Sequence, residues 1–487
     1  MINKTSLLSQ INSAIAALNL STAETQDLVL FLKTALNTGV DPSSLITQLT
    51  TRIQGISVSA ELKELLLLVT AVKLIGEDRM LSVPDLTALN GLSNISAGTI
   101  YFVDSERIPY IKKSDGTWVI IDPSLHAVQV DNLYAWGNNN SGNLGDNTTT
   151  NRSSPVSVVG GFTDWVQVSG GSHSLGLRAN GTAWAWGNNN YGRLGDNTTT
   201  NRSSPVSVVG GFTDWVQISG GYYHSLGLRA NGTAWAWGYN RFGQLGDGTT
   251  TDRSSPVSVV GGFTDWVQVS STTFHSLGVR ANGTAWAWGY NGSGRLGDGT
   301  TVASRLSPVS VVGGFTDWVQ VDAGGAHSLG VRANGTAWAW GFNSTGQLGD
   351  GTTTSRSSPV SVVGGFTDWV QVSAGSHSLG LRANGTAWAW GANGNGRLGD
   401  GTTTNRSSPV SVVGGFTDWV QVSGGFSHSL GVRANGSAWA WGCNNVGQLG
   451  DGTQTSRSSP VSVVGGFTDW VQVANGFYFS IAIRGSN

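Results

Sequence analysis

A single cysteine, Cys443, stands in 487 residues, so no intramolecular disulfide framework holds this fold. Equivalent positions of the segments described below hold Asn, Tyr, Phe or Ala, which argues against a catalytic thiol. Lysine and glutamate stop early. All six lysines (Lys4, Lys33, Lys63, Lys73, Lys112, Lys113) and all five glutamates lie before residue 114, leaving arginine and aspartate to carry the charge beyond it. A net charge of −2 argues against nucleic acid or an anionic membrane as the main partner. Long apolar runs are missing too. The longest, Leu65 to Val72 around one threonine, is too short to span a bilayer. The N-terminus has no continuous apolar h-region, so neither a secretory signal nor membrane insertion is expected, and a soluble chain made in the cytoplasm is. No nucleophile–base–acid set stands out, and no phosphate-binding glycine loop follows a strand and opens a helix. The expectation is a protein that is not an enzyme and carries no cofactor.

What is present is repetition. From Leu133 onward a block of about 50 residues recurs seven times. Its first landmark is Trp-Gly, at Trp136, Trp186, Trp237, Trp288, Trp340, Trp390 and Trp441. The second is Phe-Thr-Asp-Trp-Val, at Trp165, Trp215, Trp266, Trp318, Trp369, Trp419 and Trp470. In one unit, Pro155–Val159 reads as a first strand, and Gly160-Gly161 turns into a second, Trp165–Val168. His173–Arg178 is the third, and Asn180-Gly181 closes a hairpin onto the fourth, Thr182–Trp186. Ala183 and Ala185 then face one side of the sheet, with Trp184 and Trp186 on the other. That alternation of small and very large side chains suits sheets stacked face to face. Four strands per unit and seven units spell a seven-bladed β-propeller over residues 133–487. The first unit begins at its fourth strand and the last ends at its third. Leu133–Trp136 is therefore expected to complete the blade of Ser459–Arg484 and close the ring.

His-Ser-Leu-Gly-Leu, Asn-Gly-Thr-Ala-Trp-Ala-Trp-Gly and Gly-Gln-Leu-Gly-Asp-Gly-Thr resemble the repeats of the regulator of chromosome condensation family. The resemblance covers all seven units and implies a seven-bladed propeller. It leaves function open, because such propellers serve as exchange factors, inhibitors and adhesion modules.

Six histidines share one column: His173, His224, His275, His327, His377 and His428, with Phe479 seventh. Equivalent positions of a propeller lie far apart except near its axis, so a structural role is expected rather than a metal site. Asp146, Asp196, Asp247, Asp298, Asp350, Asp400 and Asp451 each offer one carboxylate where a calcium loop supplies several, so a turn role is expected and no metal. The copies differ mainly in two loop sets that emerge on one face: between strands two and three, and from strand four to the next blade. They carry Tyr191, Tyr222, Tyr223, Tyr239, Arg241, Phe242, Phe274, Tyr290, Phe342, Phe426, Phe477 and Tyr478. Aromatic rings on a rigid scaffold offer contact area at low entropic cost, making this the expected ligand- or partner-binding face. Packing of these rings against neighbouring loops is the plainer alternative.

Residues 1–80 read as four helices. Leu62, Leu65, Leu66, Val69 and Val72 form an apolar face that serves either the helical core or an anchoring and oligomerisation surface. Residues 81–97 read as a linker, and 98–122 as a three-stranded β-meander. The segment from Gly98 to Asp122 is similar to short modules of phage tail-associated proteins. Together these features suggest a virion structural protein, a tail fibre, spike or tail-associated adhesin. Residues 1–122 would dock to other tail or baseplate proteins, and the propeller would bind a host surface glycan or protein. A homo-oligomer, a trimer by the usual symmetry of tail fibres, is expected. The alternatives are a free intracellular propeller that binds or inhibits a protein, and a guanine-nucleotide exchange factor, for which no loop is long enough to act as a wedge.

Overall fold

The structure, a computed structural model, describes residues 81–83, 100–103, 108–112, 118–120, 132–301 and 304–485. The chain divides into two compact units, Met1–Val128 and Gln129–Asn487. In the first, strands Leu81–Val83, Ile100–Val103, Ile108–Lys112 and Trp118–Ile120 form one sheet in sequence order. The first pair is parallel and the others antiparallel. Leu81–Val83, expected as linker, is thus a strand. The helices expected over 1–80, with Leu62, Leu65, Leu66, Val69 and Val72, lie outside the described residues.

The second unit is seven antiparallel four-stranded sheets. Blade one comprises Trp165–Gly170, His173–Arg178, Ala183–Gly187 and Arg202–Ser207. Its sequence-derived boundary is one strand out. Arg202–Ser207 pairs with the strand before it, so it ends this blade rather than opening the next. The Arg202–Asp196 ion pair at 2.9 Å supplies the reason, holding the strand to the loop that leaves its own blade, and the strand's proline, lacking an N–H, is tolerated on that outer edge next to a register shift. The closing blade follows suit. Trp470–Asn475 and Phe479–Arg484 are joined by Asn132–Gly137 and Arg152–Ser157, two strands from each end instead of three and one. The expected closing pair itself forms, with Ile481 opposite Ala135 and Ser480 opposite Trp136.

Ala–Trp alternation explains the stacking. Ala337 and Ala339 of blade four leave room into which Trp369 and Trp390 of blade five pack, and the two indoles lie 5.9 Å apart. Three hydrogen-bond rings then tie blade to blade. In the first, each inner-strand glutamine acts as a strand extension: Gln320 Oε1 accepts from Val372 N at 2.9 Å and its Nε2 donates to Val372 O at 3.0 Å. The same acceptor contact recurs around the circle, closing through Gln472 and Val168 at 2.9 Å. In the second, a serine Oγ accepts from the next blade, as Ser169 does from Gly220 N at 2.9 Å.

The third ring is made by the histidines. His327 Nε2 lies 2.8 Å from Ser378 Oγ of the next blade, and the other five repeat the contact. Ser378 spends its one proton on Gln347 O at 2.7 Å, so it must accept from Nε2, which fixes the neutral Nε2–H tautomer. The histidines are staples between blades. Gln320→Ala would leave the N–H and C=O of Val372 without partners, costing about 2 kcal/mol. Chemical denaturation should show that loss, and an unchanged midpoint would show that the glutamine ring contributes nothing.

Candidate functional site

The loop between a blade's first and second strands and the loop between its third and fourth emerge on one face. The latter, expected as the inter-blade connection, lies within the blade. The Asn-Gly and Gly-Gly-Phe-Thr turns emerge opposite, and that second face repeats one arrangement. Arg178 Nε donates to Asp164 at 2.7 Å while its guanidinium lies 4.2 Å from the Phe162 ring centroid, and equivalents recur in each blade. This accounts for the repeated Phe-Thr-Asp motif.

On the variable face, the long loops share a rigid base. Asn139 accepts from Leu144 N at 2.9 Å and donates to Asp146 at 2.9 Å. Asp146 also accepts from Thr148 and pairs with Arg152 at 3.1 Å, bringing the chain back to the same sheet as its outer strand. Burial acts to raise the Asp146 carboxyl, but donors from Thr148, Asn139 and Arg152 outweigh it and hold it below the usual range. The carboxylate is spent on its own loop. Gly145, with φ +67°, lets the next blade approach: a Cβ there would sit 2.7 Å from the Trp186 indole nitrogen.

Ten of the twelve expected site residues form one continuous network of ring contacts. Tyr191 lies 4.8 Å from Tyr239, Tyr223 stacks on Phe274 at 5.1 Å, and Phe242 bridges Phe274 and Tyr290 at 5.3 and 4.9 Å. Tyr222 reaches Tyr223 at 4.3 Å and, over the shorter blade-one loop, Phe477 at 4.4 Å. Phe477 stacks on Phe426 at 3.9 Å and meets Tyr478 at 4.6 Å. The arc runs from blade six through blades seven, one and two to blade three. Two residues fall outside it. Phe342 of blade four is half-buried and makes none of these ring contacts, and Arg241 is exposed between Tyr239 and Phe242. Most rings are half-buried by one another; Tyr191 and Phe426 stay 42% and 41% exposed. The rings thus pack together, as the plainer alternative expects, and the packed layer faces outward. Tyr191 also has φ +69°, a left-handed conformation costly for a bulky residue.

Sequence reading missed the supports beneath the arc. Arg193, Arg295 and Arg397 alternate with Gln244, Gln347 and Gln448 in one column. Arg193 is buried and donates to Tyr222 O at 2.7 Å, and Arg397 does the same to Phe426 O at 2.7 Å. Burial pulls the Arg193 and Arg295 guanidiniums down to about 10. Their alternation down the column was the available signal.

A closed ring of seven four-stranded blades with one varied face defines the second unit as a β-propeller. The regulator of chromosome condensation (RCC1) repeat matches residues 131–177, 180–228, 231–279, 282–331, 334–380, 384–432 and 435–483. The chain belongs to that repeat family. It is 36% identical over 146 residues to the probable E3 ubiquitin-protein ligase HERC6 of Homo sapiens, covering 28% of this chain and 14% of that protein. To the ultraviolet-B receptor UVR8 of Arabidopsis thaliana it is 31% identical over 140 residues, 28% of this chain and 31% of the receptor. The chain thus spans under a third of either relative's length. Among solved structures, yeast RCC1 (Prp20) bound to Kap60 superposes with a TM-score of 0.67 at 21% identity, over 74% of this chain and 90% of that one. Human WBSCR16 gives 0.64 at 22%, over 73% and 99%. At those identities the likeness is one of fold.

Proposed function

We propose that this protein acts by binding, and that the aromatic arc of blades six, seven, one, two and three is its recognition surface. The observation that carries this reading is the asymmetry: ten rings joined on one face of a scaffold whose other face is repeated nearly unchanged. Rings held by mutual packing and by buried arginines are pre-ordered, so little freedom is lost when a partner seats on them.

We further propose the setting suggested by the sequence: a tail-associated virion protein, docked to other tail or baseplate proteins through residues 1–122 and meeting a host surface glycan or protein through the arc. The two-unit organisation supports it. Immunogold labelling of purified particles tests the setting, and an unlabelled particle would leave the free binding propeller as the better reading. For the surface itself, the full chain and a Tyr191→Gly variant are compared on an array of bacterial surface glycans and envelope proteins. Glycine removes the ring and the left-handed strain together, so stability should hold within about 1 kcal/mol while binding weakens about tenfold or more. Unchanged binding would exclude Tyr191 from the contact.

A further inference from the structure

One departure from sevenfold repetition lies inside the molecule. Around the axis the inner strands carry Ser169, Ser219, Ser270, Asp322, Ser373, Ser423 and Ala474 in one column. Asp322 keeps the column's structural task, accepting from Ala374 N of the next blade at 2.8 Å, and adds a charge. Its other oxygen accepts from Ser270 Oγ at 2.7 Å. Among the described residues no basic group pairs with it. Asp322 is half-buried and opens onto an axial funnel of about 180 Å³. Asn475 lines the same funnel, but its side chain is turned into the protein, its amide donating to His428 O at 3.2 Å and its oxygen sealed from the funnel. Tyr222, Phe426 and Phe477, all of the aromatic arc, line it too.

We propose that this funnel receives a primary ammonium group presented by the partner, as on a lysine side chain, with Asp322 as counter-charge. The inference rests on the partner-binding reading of this face. Asp322 offers only acceptors and a charge, and an ammonium has three donors, no acceptor and the opposite charge. A neutral sugar hydroxyl brings no charge to offset the carboxylate, and a calcium-like ion usually takes several carboxylates where the funnel has one. An anion would meet Asp322 head on. The three rings supply apolar walls for the ammonium's methylene stem.

The probe is n-butylammonium chloride, titrated into the full chain and followed by saturation-transfer NMR, with n-butanol as neutral control. Saturable binding is expected for the cation, about tenfold or more above the alcohol. Asp322→Ser, which installs the residue of five other blades and keeps an acceptor for Ala374 N, should lose about tenfold or more, as should the isosteric Asp322→Asn. Equal binding by both variants, or no saturable binding to the unsubstituted chain, overturns the inference. Tyr239→Ala with Phe242→Ala, on the arc but away from the funnel, separates the two readings. If that pair loses a surface ligand while butylammonium fails to bind, only the funnel inference falls. If butylammonium binds through Asp322 while the pair keeps every ligand, only the arc reading falls.

Discussion

Acid should unfold the propeller near pH 5, with a steep uptake of protons. The six stapling histidines are fully buried and neutral in the fold. Burial first, and nearby Arg193, Arg295 or Arg397 second, push His224, His327 and His428 down to about 3, and the other three well below their ordinary value. A free histidine titrates near 6.5, so between that pH and about 3 the unfolded chain binds more protons than the fold. Stability is complete above pH 6.5 and falls as the pH drops, by up to about 1.4 kcal/mol per unit for each histidine. Six together approach about 8 kcal/mol per unit, comparable to the whole stability of an ordinary domain. Asp322 opposes this weakly. Burial raises its carboxyl to about 6, so below that pH the fold gains the proton. Tryptophan fluorescence against pH, with potentiometric proton counting, reads both midpoint and uptake. His327→Phe copies the chain's own Phe479 and should lower the uptake by about one proton and move the midpoint to lower pH. A fluorescence signal flat to pH 3 would show that the histidines are not the acid-sensitive groups.

Deleting residues 470–487 should abolish cooperative melting. The deletion removes the two inner strands of the closing blade and leaves Asn132–Gly137 and Arg152–Ser157 without their neighbours. It also cuts the glutamine ring on both sides, at Gln421–Val473 and Gln472–Val168, and the His428–Ser480 staple. Trp136, fully buried, loses Trp470, 5.9 Å away. Exposure of that indole alone costs about 3–5 kcal/mol, and the open edges invite association. An open stack of repeats would behave otherwise, losing roughly one repeat's share of stability. Calorimetry distinguishes them: a broad or absent transition supports the closed ring, and a sharp one near the parent melting temperature contradicts it.

Much of this was legible in the sequence because it depends on period. The Ala–Trp alternation and the half-units at the two ends led to stacked blades and to the Leu133–Trp136 closure. The blade boundary was not legible. Pro155–Val159 lies one loop from either neighbouring sheet, and the choice is made by the Asp146–Arg152 pair, which only a folded loop brings together. For the site, residue type was enough to collect ten aromatics, yet it also drew in Phe342 and Arg241, which the fold leaves outside the network. Asp322 was missed because the informative comparison there is down a column of serines, whereas an isolated aspartate looks like any turn residue.

The measurement that decides most is a loop exchange. The blade-two loops bearing Tyr222, Tyr223, Tyr239, Arg241 and Phe242 are replaced by their blade-five equivalents around Ser376, Ala392 and Asn395. The full chain and the exchanged one are then compared on the glycan and envelope-protein array and by melting curve. Because blade five is itself a working blade of this ring, the exchange should fold with an unchanged transition and lose its ligand. Retained binding with an unchanged transition would contradict recognition by the aromatic arc.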